Sequence, residues 1–372
     1  MRRGQIVLSP WAIASIAVGF LLMGIAVSAY GPLLEHLTRR FGVSLPVAGA
    51  TISVHFAGAL PGVFAAMWAV RRFDARVIVL TACAIVCVGL GAVAVAFAWP
   101  FFLAAVFVVG LGFGALVLTF NQLVAFSAGG RRAALLNALN AAYSAGAVAG
   151  PLLVATLARD HFALLYLGGA IVWLALIPGA FGIAGRLPVE MGASRRPGPL
   201  VGVFILAFVL YVAIETGTGG WMPSHLESLG FASASAATLT SAFFLALVAG
   251  RLLITLVPPA VPESAVVLAS AGSATVALAA AAAGVALPWA YVLAGLVLAP
   301  IFPTGVVWLA HLRPHDSTAT AWLFPATSVG GVVGPAAIGL VIANAGVRWT
   351  PVVLAIVAAL MVVAFWAAAV RR

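Results

Sequence analysis

Twelve long apolar runs recur along the 372-residue chain. They come roughly every 31 residues, about the length of a helix crossing a 30 Å hydrocarbon core plus a tight turn. Backbone polar groups in lipid have no water to bond, so such runs are obliged to become helices that satisfy their own N–H and C=O groups. The pattern predicts an all-α membrane protein with spans at 10–34, 46–70, 76–97, 100–126, 133–157, 162–184, 199–224, 234–257, 264–286, 288–311, 317–343 and 349–370.

Composition agrees. Hydrophobic residues make up 65% of the chain and charged residues 7%, against about 25% charged in soluble domains. The net charge is +10 and all eighteen basic residues are arginine. A basic chain can bind nucleic acid, but these arginines stand at span ends and not on one face, so they read as topology determinants and nucleic acid is not an expected partner. With the N-terminus inside, thirteen arginines fall on the cytoplasmic side: Arg2, Arg3, Arg71, Arg72, Arg76, Arg131, Arg132, Arg186, Arg195, Arg196, Arg313, Arg371 and Arg372. Only Arg39, Arg40, Arg159 and Arg348 fall outside. Both termini are therefore expected in the cytoplasm, in a multi-pass protein of the cell (inner) membrane. The opening Met1-Arg2-Arg3 and its apolar run imitate a secretion signal, but the run is long enough to be the first span. Cys83 and Cys87, four apart on one span, suit neither a disulfide nor a metal site, and no metal or other cofactor is expected.

The two halves echo each other. Gly146, Gly150 and Pro151 late in the fifth span recur as Gly330, Gly334 and Pro335 in the eleventh, at an offset of 184 residues. Gly110-Leu111 and Gly295-Leu296 match at 185, and Phe41-Gly42 against Leu229-Gly230 at 188. The chain therefore reads as an N-terminal six-helix bundle (1–184), a cytoplasmic linker (185–198) and a C-terminal six-helix bundle (199–372). Such parallel repeats imply an axis along the membrane normal and a site near the midplane.

Glu215 is the one acidic residue well inside an apolar run, and Gly217, Gly219 and Gly220 follow it before Trp221. An ionisable group in hydrocarbon costs about 3 kcal/mol or more, so it must face a cavity, a partner or a proton. The glycines are expected to weaken the helix into a break around a site. At 1.5 Å per residue Glu215 lies roughly 14 Å deep and Arg251 roughly 9 Å from the opposite side, within reach of each other. The pair is either a structural tie between the seventh and eighth spans or a proton or substrate switch.

Twelve spans, a 6+6 repeat and a basic central loop resemble the major facilitator superfamily. Several stretches resemble its fucose/galactose/glucose:proton symporter-like sugar branch: Tyr211-Val212-Ala213-Ile214-Glu215 running to Trp221, Phe243-Phe244 leading to Gly250-Arg251, Ala299-Pro300-Ile301-Phe302-Pro303, and Gly110-Leu111-Gly112-Phe113-Gly114 leading to Asn121. The resemblance implies the major facilitator fold and transport of a sugar. The chain departs from that branch in having no acid in the first or fourth span and Asn140 where a histidine often stands. That leaves Glu215 for coupling.

Sugars require amides that donate and accept, and aromatic faces to stack on. Asn121, Gln122, Asn137 and Asn140 are amides at membrane depth, whose alternative is interhelical hydrogen bonding. Trp221, Trp308 and Trp322 offer platforms, with the interfacial belt as the alternative for the last two. His55 is deep in the second span and joins Glu215 and Arg251 as a coupling candidate, or is a packing residue; the other histidines read as interfacial. No catalytic constellation or nucleotide motif is present, so the chain reads as no enzyme and transport must run on gradients. These residues predict a monomeric secondary active transporter of a small polar solute, a monosaccharide first. It would work by alternating access, coupled to a proton or sodium ion through Glu215. A proton-driven drug or metabolite efflux antiporter is the alternative, suggested by Gly146-x-x-x-Gly150-Pro151. A non-transporting receptor on the same scaffold would carry a long loop or tail for partners, and none stands out.

Overall fold

A computed structural model describes residues 6–127, 132–187, 197–256, 258, 260–313 and 319–370. Among them are thirteen α-helices: α1 (Pro10–Phe41), α2 (Leu45–Ala69), α3 (Ala75–Ala94), α4 (Trp99–Ser127), α5 (Arg132–Leu153), α6 (Arg159–Leu176), α7 (Pro199–Ser228), α8 (Ser233–Leu253), α9 (Glu263–Ala282), α10 (Trp289–Leu298), α11 (Ile301–Leu312), α12 (Leu323–Ala345) and α13 (Thr350–Val370). α10 and α11 form one span, Trp289–Leu312, so twelve helical spans are long and apolar enough to cross a membrane. Arg2, Arg3, Arg131, Arg195, Arg196, Arg371, Arg372 and most of the expected linker lie outside the described residues.

Local chemistry sets the ends of α1. Ser9 caps it, its Oγ accepting from the Ala12 amide at 3.1 Å, and Pro10 opens the first turn, where no N–H is needed. Gly42 closes it in the left-handed conformation at φ 65°, which a side chain would strain. The helix thus runs on to Phe41, seven residues beyond the expected end at 34. Its 32 residues make a rod about 48 Å long, more than one bilayer core requires.

Two compact units divide the chain: Met1–Val43 with Val54–Met191, and Ser44–Ser53 with Gly192–Arg372. In the first, α5 lies against α1 so closely that a Cβ on Gly146 would overlap the Leu21 carbonyl, and one on Gly150 the Ser28 hydroxyl. In the second, α12 meets α7 the same way, Gly330 against the Val209 carbonyl and Gly334 against Ala213. The glycines that reveal the repeat therefore close the same helix pair in each unit. Gly110 and Gly114 of α4 pack on the backbone of α2 at His55 and Ala59, and Gly250 of α8 packs on the Leu296 carbonyl of α10, a second matched pair. Without a hydrophobic force between helices in lipid, this close backbone approach is what gains dispersion energy.

The core of the second unit is aromatic, with Phe204, Phe208 and Trp308 each packed on Phe365. In the first unit a short antiparallel ladder joins β1 (Val7–Leu8) to β2 (Ile183–Ala184), tying the start of the chain to the end of the sixth span.

Candidate substrate and coupling site

Helix α7 carries the most distinctive polar group, and it is unbroken. The expected break at Gly217, Gly219 and Gly220 does not occur, and the helix runs through them to Ser228. The glycines serve packing: Ile338 and Leu354 cover Gly217, Phe244 covers Gly219, and Ile52 fills the space beside Gly220. Neighbouring helices in lipid compensate the low helix propensity of glycine through contact, so a Gly-rich turn need not open.

One turn apart on α7 stand Tyr211 and Glu215, and the side chain of Arg251 reaches them from the last turn of α8. Arg251 Nη2 lies 3.6 Å from Glu215 Oε1. The side chains keep 33% and 21% of their exposure, so the pair is partly open and not sealed. The Tyr211 hydroxyl is buried within electrostatic reach of both charges, but no well-formed hydrogen bond engages it. Phe302, 6.2 Å from the Tyr211 ring centre to centre, supplies an apolar face next to this cluster. The result is an anion, a cation, a hydroxyl and an aromatic face in one part of the second unit. Chemically this set can bind a polyhydroxylated solute, or trade the Glu215–Arg251 contact for a proton or a substrate group.

Trp221 is fully buried, its indole N–H donating to the Pro335 carbonyl at 3.1 Å. Its ring lies flush against Gly49, where a Cβ would overlap it, and close to Gly339. Trp308 is neither platform nor belt: it is enclosed by Phe204 and Phe365 in the core. Trp322 is half-buried in the short turn before α12.

Two amides of the first unit bond back to their own helices through their NH2 groups. Asn121 Nδ2 donates to the Val117 carbonyl at 2.8 Å and Asn140 Nδ2 to the Leu136 carbonyl at 2.9 Å, each one turn back on its own helix. Gln122 Oε1 is buried without a partner, whereas Asn137 and Asn140 are exposed. His55 is completely buried, Nδ1 3.0 Å from the Tyr30 hydroxyl, with the Phe113 ring edge-on at 4.8 Å and Nε2 unpartnered.

Three participants escaped the sequence reading. Tyr211 was visible as the residue one turn before Glu215, whereas Tyr30 could be matched to His55 only by folding. His225, expected at the interface, is buried and hydrogen-bonded to Tyr291 of α10 at 2.9 Å. Cys87 points its thiol at the Ala170 carbonyl, 3.6 Å away, and Cys83 is buried. Among the described residues no cluster of His, Cys, Asp or Glu could hold a metal ion.

The sequence profile of the Major Facilitator Superfamily matches residues 16–256, about two thirds of the chain. The chain belongs to the major facilitator superfamily. It is a non-enzymatic, multi-pass secondary transporter of small molecules. No curated protein sequence matches it significantly. Among solved structures it is similar to the nucleoside transporter NupG at a TM-score of 0.75 and 14% identity, covering 97% of this chain and 99% of that one. The xylose transporter XylE from E. coli in a partially occluded inward open conformation gives 0.76 and 12%, over 96% and 98%. A peptide transporter POT in complex with sulfate gives 0.79 and 13%, over 98% and 95%. At these identities the similarity establishes the fold alone.

Proposed function

We propose that this major facilitator moves a monosaccharide-like solute by alternating access, and that Glu215 couples the cycle to a proton or sodium ion. The observation that carries this reading is the Tyr211–Glu215–Arg251 cluster, a partly open ion pair beside a buried hydroxyl within a membrane-spanning unit. A carboxylate at that depth costs several kcal/mol unless its charge does work or is matched, and Arg251 matches it at 3.6 Å, in a pair that stays partly exposed. Phe302 beside Tyr211 adds the aromatic face a sugar uses. The arginine count supports a cytoplasmic location for both termini, and the chain is proposed to act as a monomer in the cell membrane.

The efflux reading is not favoured. Its one signature, Gly146-x-x-x-Gly150, is occupied in packing α5 on α1, and the same spacing in α12 packs on α7. Uptake of radiolabelled monosaccharides into proteoliposomes, with imposed pH or sodium gradients, tests the proposal. Accumulation driven by one gradient and lost in Glu215→Gln is expected. Uptake of no sugar, together with resistance of expressing cells to cationic dyes, would overturn it.

A further inference from the structure

At one end of the first unit, where the chain enters α1 and leaves the sixth span, the α2–α3 connection and the residues after β2 bring four arginines and one aspartate into one patch. Arg71 and Arg72 belong to the short connection from α2 into α3, Arg76 to the first turn of α3, and Arg186 follows β2. Arg186 Nε holds Asp74 Oδ1 at 2.8 Å. Arg76 donates to the carbonyls of Ile183 and Phe181 at 3.2 and 3.1 Å, and the Ala75 amide donates to the Gly185 carbonyl at 3.3 Å. These contacts tie the start of α3 to the residues after β2; with the adjacent Arg71 and Arg72, four arginines against Asp74 leave three net positive charges.

The unused charge is at Arg71 and Arg72. Both are exposed, and among the described residues neither has a carboxylate within ion-pair distance. The Arg72 guanidinium lies over the Trp68 ring, 4.6 Å from its centre, and that ring also meets Phe73 at 6.0 Å. Arg76 lies over Phe181 at 5.6 Å. Trp68, Phe73 and Phe181 are all exposed. An aromatic ring with a charged group over it is suited to the zone where hydrocarbon meets headgroups. Stacking holds a guanidinium plane while leaving its N–H edge free, and that edge fits two phosphate oxygens at once.

We propose that this patch binds the phosphodiester of an acidic glycerophospholipid in the adjoining leaflet, with Arg71 and Arg72 on the phosphate and Trp68 and Phe73 against the acyl–glycerol region. Charge complementarity selects the occupant: an acidic headgroup supplies an anion that no described residue brings to Arg71 and Arg72, and a zwitterionic lipid offers no net charge. A pure topology signal needs the arginines but not the stacked rings, and this separates the two roles.

The test uses the purified full chain in nanodiscs of phosphatidylcholine with or without phosphatidylglycerol, reading retained lipid by native mass spectrometry and thermal unfolding. The wild type is expected to retain phosphatidylglycerol preferentially and to unfold at a higher temperature with it. Arg71→Gln/Arg72→Gln is expected to bind it roughly tenfold more weakly. Trp68→Ala, which leaves every charge in place, is expected to weaken it by a smaller factor, and it decides the question if the double variant inserts poorly. Arg39→Gln/Arg348→Gln, which removes two exposed arginines elsewhere, is expected to change nothing. Equal retention of the two lipids by the wild type would overturn the proposal. So would unchanged retention in both patch variants, or an equal loss in the control.

Discussion

Arg251 of α8 and Glu215 of α7 approach to 3.6 Å, and one turn before Glu215 the Tyr211 hydroxyl is buried next to them. Intramembrane charges are costly, so the chain has matched its deep acid with a base on the neighbouring helix of the same unit. The match is incomplete: both side chains retain partial exposure, which is the condition for a contact that opens and closes.

Removing one partner separates structure from transport. Glu215→Gln and Arg251→Met should each lower stability by more than the roughly 1 kcal/mol of an exposed pair and less than the about 3–5 of a sealed one. Thermal unfolding in detergent measures this. Gradient-driven uptake should be abolished in Glu215→Gln while the protein still folds. Full concentrative uptake by that variant would remove its coupling role.

Tyr211→Phe should behave differently. The hydroxyl is buried beside both charges without a well-formed hydrogen bond, so its loss should cost no more than about 1 kcal/mol. If the hydroxyl meets substrate, KM rises roughly tenfold with little change in maximal rate, since one hydrogen bond is worth about 1.4 kcal/mol. An unchanged KM across transported solutes removes Tyr211 from the site.

His55 depends on Tyr30. Tyr30→Phe leaves the buried imidazole without its 3.0 Å partner, for a cost of about 1–3 kcal/mol. His55→Phe, which removes the imidazole and its unpartnered Nε2 but leaves the Tyr30 hydroxyl without its partner, should disrupt uptake by more than its stability loss explains if the imidazole serves transport. Matched losses of stability and uptake would make it a packing residue.

Gly49 admits the Trp221 ring, and a methyl group there would collide with it. Gly49→Ala should destabilise by about 1–3 kcal/mol, the usual range for overpacking. Trp221→Phe, which shortens the ring and gives up the bond to the Pro335 carbonyl, should relieve the clash in the double variant. Additive losses in the four unfolding curves would show that the two positions do not couple.

Much of this molecule was legible in the chain. Twelve spans follow from apolar length because lipid leaves the backbone one way to satisfy itself. The repeat was written in Gly146, Gly150, Gly330 and Gly334, because small residues must recur wherever equivalent helices touch. Glu215 and Arg251 could be paired from depth alone, since a buried charge has few places to go.

Folding decided what one-dimensional spacing does not contain. Gly217, Gly219 and Gly220 read as a break, yet Ile338, Phe244 and Ile52 fill the space beside them and the helix continues. Trp308 read as a platform and lies in the aromatic core, while His225 read as interfacial and is buried on Tyr291. Each outcome turns on a partner from a helix distant in sequence. Span existence is fixed by the solvent each segment meets, whereas a side chain's role is fixed by which neighbour occupies the space beside it.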